Sequence, residues 1–297
     1  MSIRWLAVTH FQPISARSTF PCWDEPAFKA TFNISIKHYA NFTALSNMPA
    51  YERSFTDENE DKVWTRFERT PIMATNILAF VITDFEHVSL PERNTTIWAR
   101  KSVIPFVRFL LKVIPKIEDE LTAYMASDII VPKIDHIAVP DYSSGATENW
   151  GLITYKESLV VYKENETNTD EMDRIVMLIA HEMTHQWFGN LVGPRWWKYM
   201  WMSEGFAAYF QYYITDKVFN ETRMMDKFVL NTMQIAFSRD ECQYQYPMNK
   251  IVNSPSDIPS IYSFITYRKA SIVLRMLSHS ITDEIFRAGL IKYIYEK

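Results

Sequence analysis

The chain has 297 residues, 47% apolar and 15% aromatic, enough to bury a sizeable core over about two domains. Its net charge of −4, from 31 basic and 35 acidic residues with no basic run, argues against nucleic acid or a membrane surface as a partner. Two cysteines, Cys22 and Cys242, allow one disulfide at most and lack metal-type spacing, so they read as free or structural.

In chain order, the first twelve residues lack the charged-then-apolar pattern of a signal peptide, and no apolar run approaches the roughly 18 residues of a spanning helix. Residues 28–100 read as β-rich. Alternation marks strands at 28–38, 63–67 and 97–99, and the apolar run 77–82 reads as a buried strand. The period then changes to a helix over 103–125, with Pro105 near its start and Pro115 as a break or kink. Strand-like content returns over 129–162, including 151–155 and 159–162, and 170–297 is mostly helical. These readings place a boundary near residue 86, between a β-rich domain (1–86) and an α+β domain (87–297).

The segment His181-Glu182-Met183-Thr184-His185, followed after eighteen intervening residues by Glu204, carries the chemistry. Positions i and i+4 share a helix face, so His181 and His185 can aim both imidazoles at one point. Two neutral imidazoles and one carboxylate leave the fourth tetrahedral position of a zinc ion open, the layout of a catalytic rather than a structural site. Glu182 projects beside that position as a general base. Asn168 to Glu171 supply N-cap candidates for the first helix and Gly189-Asn190 its stop, while Ser203 reads as the cap of a second helix opened by Glu204. The aromatics around the motif (Trp187, Phe188, Trp196, Trp197, Tyr199, Trp201) read as core beneath the site. Five N-glycosylation sequons, at Asn33, Asn41, Asn94, Asn165 and Asn220, stand against roughly two expected by chance and lean toward a secretory route.

Several stretches together resemble the aminopeptidase N family of zinc exopeptidases, the gluzincin aminopeptidases. They are Ala16-Arg17 with the run from Phe20 to Pro26, Ala44 to Pro49, Gly145 to Leu152, His181 to Val192, Trp201 to Phe206, and Ile265 to Lys269. Their order and approximate spacing match along nearly the whole chain. The resemblance implies an α+β protein: part of a β-rich N-terminal domain, then a thermolysin-like, mainly helical zinc catalytic domain. It implies one Zn2+ per chain on His181, His185 and Glu204, with Glu182 as general base. Glu148 is placed as the carboxylate that binds the substrate's free α-amino group, with Gln12 as a second contact to that amine. Tyr267 is placed as the hydroxyl that supports the oxyanion. Gly145 and Ala146 allow close backbone approach of the peptide.

The sequence departs from the family pattern in places. Thr147 replaces a methionine that lines the first specificity pocket, which is expected to shift preference away from large apolar side chains. Tyr199 and Ser203 stand where Asp and Asn are common, so outer-sphere support of the metal is expected to suffer. Ala270 replaces a frequent glycine, a change expected to be mild. Family members are several hundred residues longer, so the chain reads as a truncated member that begins partway into the first domain and stops within the last catalytic helices. The resemblance points to peptides with a free N-terminus as substrates and to the plasma membrane or cell exterior as location. With no signal or anchor in the chain, the cytoplasm is the alternative. Two rival functions are a thermolysin-like endopeptidase, against which Glu148 argues, and a catalytically weak fragment that binds peptides or serves as a receptor.

Overall fold

The computed structural model describes residues 5–55, 61–240 and 247–296. The chain divides into two compact units, Met1–Leu111 with Ile130–Glu164, and Lys112–Ile129 with Asn165–Lys297.

Among the described residues the first unit begins with eight strands, those expected from alternation at 63–67 and 97–99 included. They are β1 (Ala7–Val8), β2 (Ser35–Tyr39), β3 (Thr43–Ser46), β4 (Ala50–Phe55), β5 (Lys62–Phe67), β6 (Phe80–Thr83), β7 (Glu86–Leu90) and β8 (Thr95–Ala99). After helices α1 (Ile104–Val107) and α2 (Leu110–Met125) come β9 (Ile134–Val139), β10 (Ala146–Thr147) and β11 (Leu152–Lys156). Three sheets result, ordered β1-β6-β3, β2-β5-β4 and β10-β11-β9-β8-β7. In the last, β8, β9 and β11 run parallel, and β7 and β10 are antiparallel edges. Parallel neighbours need a long crossover, which α1 and α2 supply between β8 and β9. All six positions of β9 are buried, as expected of a parallel strand covered on both faces. Ile137, Val139 and Leu152 from this sheet share a core with Leu45, Ala79 and Val81.

The structure departs from the simple pattern where tertiary pairing intervenes. Of the expected strand 28–38, only Ser35–Tyr39 is a strand; Ala30 makes a single bridge to Met73. Thr75–Ile77 is a 3-10 turn, so the strand in 77–82 starts late, at Phe80. The turn follows from Asn47, whose side chain donates to the carbonyls of Ile77 and Trp150 (both 2.9 Å) and accepts from the Ala79 amide. Residues 159–162 are not a strand either, because the chain turns at Glu157–Leu159. Pro115 lies inside α2, and the helical break falls earlier, between α1 and α2.

The second unit is helical. Beyond the end of α2, it contains α3 (Thr169–Thr184), α4 (Met200–Val218), α5 (Met224–Phe228), α6 (Gln234–Arg239), α7 (Ala270–Ile281) and α8 (Asp283–Tyr295). A full capping box starts α3: the Asn168 side chain accepts from the Glu171 amide at 2.9 Å, and the Glu171 carboxylate accepts from the Asn168 amide. α3 packs on α4, and α4 on α7. Trp187, Phe188 and Trp197, with Tyr209 and Phe210, are fully buried, and Phe188 stacks on Phe206 at 4.2 Å; Trp196, Tyr199 and Trp201 of the expected core are only partly buried. Among the described residues no helix is long and apolar enough to cross a membrane.

Candidate metal centre

In the second unit, α3 ends at Thr184, with His185 as its helical C-cap, so the i, i+4 pair still projects from one face. The chain then turns sharply, at Gly189 rather than by a gradual end to the helix. Gly189 has φ +130°, and a Cβ there would stand 2.7 Å from the Ser203 hydroxyl. The turn returns the Phe188 carbonyl to His185 Nδ1, at 2.8 Å. α4 begins at Met200, three residues before Ser203, so Ser203 is not a cap. It is buried one turn into the helix, donating to the Phe188 carbonyl (3.0 Å) and lying 3.2 Å from His185 Nδ1. The shorter side chain that stands at this position therefore still reaches the imidazole. Tyr199 precedes α4 in a short turn, with the Lys198 ammonium 4.9 Å from its ring centre.

Across α3 and α4 the pairing is antiparallel. His185 meets Ser203, and His181 Nδ1 meets Gln211 Oε1 at 2.8 Å. With Nδ1 of each ring donating to an oxygen, each Nε2 carries a lone pair. The two Nε2 atoms are 3.2 Å apart and lie 3.4 Å (His181) and 3.3 Å (His185) from Glu204 Oε2. A tetrahedral ion with bonds of about 2.05 Å separates its ligand atoms by about 3.3 Å, so this triangle has the size a zinc-like ion requires. Burial raises the pKa of the Glu204 carboxyl; when His185 and His181 are protonated, their charges and hydrogen bonds outweigh it and lower that pKa. The three residues can hold a metal ion.

Glu182 follows His181 on α3 and is buried at 4% exposure, in reach of little solvent. Tyr267 sits in a π-helical turn, Ile265–Lys269, that leads into α7, and its ring stacks on His181 with centres 6.1 Å apart. The structure thus brings His181, His185, Glu204 and Tyr267 together. Gly205 decides how closely α7 approaches α4: a Cβ there would fall 2.6 Å from that of the buried Ala270. A cavity of about 510 Å³ near the same turn is lined by Arg239, Phe264, Ile265 and Thr266, and by none of the candidate residues.

The first unit holds the other candidates. Gln12 donates to Glu148 Oε1 at 2.8 Å, and Glu148 is buried at 5% exposure. Two motifs fix them. Asp24 accepts from the Arg17 amide (3.0 Å) and the Thr75 hydroxyl (2.5 Å), which secures the loop after Gln12. Lys133 donates to the carbonyls of Ser46 (2.6 Å) and Gly151 (2.8 Å), and a Cβ on Gly151, at φ +79°, would strike the Asn47 carbonyl. Ala146 and Thr147 form edge strand β10, which follows Gly145 and precedes Glu148. The Thr147 hydroxyl is buried, accepting from Tyr142 (2.8 Å) and donating to the Ala146 carbonyl. Beside them, His10 Nδ1 lies 3.0 Å from the Ser143 hydroxyl; burial holds its pKa below the ordinary value despite the Glu148 charge. Cys22 is a free thiol, and Cys242 lies outside the described residues.

Gln211 and Gly205 escaped the reading of the sequence. A signal for Gln211 was present: it lies seven residues after Glu204, hence on the same face of α4 two turns on.

This geometry agrees with the comparisons of sequence. The chain belongs to peptidase family M1: the Peptidase family M1 domain profile matches residues 110–297, and the Peptidase M1 N-terminal domain profile matches residues 2–77. Among individual relatives, it is 39% identical to aminopeptidase N of Canis lupus familiaris over 98% of its own length. It is 38% identical to aminopeptidase N of Rattus norvegicus and 35% identical to glutamyl aminopeptidase of Sus scrofa, again over 98% of the chain. The chain spans 31% of the length of each of these relatives.

Proposed function

We propose that this chain is a zinc metalloaminopeptidase, organised as a β-rich part (1–86) and a catalytic part (87–297), that removes the N-terminal residue of peptides. The observation that carries the reading is the triangle of His181, His185 and Glu204 donor atoms, sized for one tetrahedral ion. Zinc in that position lowers the pKa of water and polarises a carbonyl.

The chain's own residues do the rest. Glu182, buried on α3, takes the proton of the attacking water and passes it to the leaving amine. Tyr267 donates its hydroxyl to the oxygen that gains charge as the carbonyl is attacked. Glu148, oriented by Gln12, pairs with the substrate's α-ammonium, so the cut falls after one residue. Gly145 and Ala146, with no side chain and a small one, allow the peptide backbone to come close beside the edge strand, and the buried Thr147 hydroxyl holds that strand's conformation. An internal peptide bond offers Glu148 no ammonium, which counts against endopeptidase action. All five sequon asparagines are exposed, which supports glycosylation and an extracellular setting.

The test is mass spectrometry of one mixed peptide, with a free or an acetylated N-terminus, after incubation with zinc-loaded protein. A one-residue ladder from the free peptide alone is expected. Internal cuts in both peptides would replace the proposal with an endopeptidase, and intact peptides in both would replace it with a binding protein.

A further inference from the structure

We infer that Gln211 is a positioning residue of this centre, and that its neutral amide leaves the metal more weakly held than a carboxylate in its place would. The inference rests on the metal-binding reading above. The partners seen at the two Nδ1 atoms are the Gln211 amide oxygen, the Phe188 carbonyl and the Ser203 hydroxyl, all uncharged. Histidine ligands are made more basic and held in one tautomer by what their second nitrogen touches, and a carboxylate does both more strongly than an amide.

An amide has a further property that a carboxylate lacks. A carboxylate only accepts, so it admits only the His181 tautomer with the proton on Nδ1 and the lone pair on Nε2. An amide that turns over presents its NH2 group instead. His181 then accepts at Nδ1, carries its proton on Nε2, and loses the atom that would bind the metal. His185 has no such freedom, because the Phe188 carbonyl facing its Nδ1 is fixed by the turn at Gly189. Gln211 is therefore the point at which the metal-free protein can leave the ligating state. The residue is half-buried on α4, so replacing it does not open the core.

The experiment measures Zn2+ affinity by competition with a chromophoric chelator, for the wild-type protein, Gln211→Glu and Gln211→Leu. The acidic variant should bind about 10-fold tighter or more, and the apolar one about 10- to 100-fold more weakly. Imidazole nitrogen–proton correlation spectra of the metal-free proteins give a second readout that a merely structural role would not move. His181 should show both tautomers in the wild type and the Nδ1–H form alone in Gln211→Glu. Affinities within twofold of one another and identical tautomers would overturn the inference while leaving the metal centre intact. A wild-type protein that takes up no Zn2+ would instead overturn the reading beneath it.

Discussion

At the scale of single residues, two buried titratable groups lead to different predictions. Glu182 is the proposed general base. Replacing it with Gln removes the base while keeping the shape, so peptide turnover should fall by about 10² or more with zinc content unchanged. Metal analysis beside steady-state kinetics checks both halves, and unchanged turnover would exclude the role. His136 is not among the proposed centre's residues and is buried in the sheet of the first unit. It stacks on Tyr155, with Nδ1 3.0 Å from that hydroxyl, and burial together with the nearby Lys133 ammonium holds its pKa down to about 3. In the unfolded chain the same imidazole titrates near 6.5. As pH falls below that value the unfolded state takes up a proton that the folded state refuses, so stability is lost on the acid side. The slope from this group is at most about 1.4 kcal/mol per pH unit between the two values. Urea midpoints from pH 7 to pH 5 should fall less steeply in His136→Phe than in the wild type.

At the scale of elements, the site depends on how closely α7 can approach α4. Gly205, beside the proposed metal ligand Glu204, faces Ala270 at the start of α7, directly after the turn that carries Tyr267. Taken alone, the alanine at 270 looked harmless; against Gly205 it uses all the space there is. A methyl group added at 205 must push α7 and Tyr267 outward. Gly205→Ala should lower stability by about 1–3 kcal/mol and lower kcat with it. Adding Ala270→Gly to that variant should recover most of both losses. A double-mutant cycle in urea and in kinetics reads this coupling, and additive effects would show that the contact is not what sets the helix spacing.

At the scale of the whole molecule, an ion held by α3 and α4 ties together segments nineteen residues apart in sequence, His185 and Glu204, that are disordered relative to each other once unfolded. Binding that occurs only in the folded state adds stability by mass action, about 4 kcal/mol at a free-ion concentration 1,000 times the dissociation constant. Chelation should therefore lower the melting temperature, and returning zinc should restore it in a concentration-dependent way. A melting temperature indifferent to both would mean that His181, His185 and Glu204 hold no ion. The relatives are about three times as long as this chain, so this test and the peptide ladder ask directly what the present 297 residues do by themselves.

The sequence by itself determined what depends on near neighbours along the chain. The i, i+4 spacing of His181 and His185, the Asn168 capping box and the alternation in β5 and β8 are encoded within about one turn or one pleat, so they were legible directly. The roles proposed for Glu148, Gln12 and Tyr267 rest on resemblance, because a lone Glu, Gln or Tyr carries no local signal. The tertiary structure alone decided which groups stand behind the two histidines. Ser203, read as a cap, became a partner of His185; Gln211, read as nothing, became the partner of His181. Both outcomes come from the register of α4 against α3, and register is set by side chains packing across an interface between segments far apart in the chain, which local periodicity does not specify.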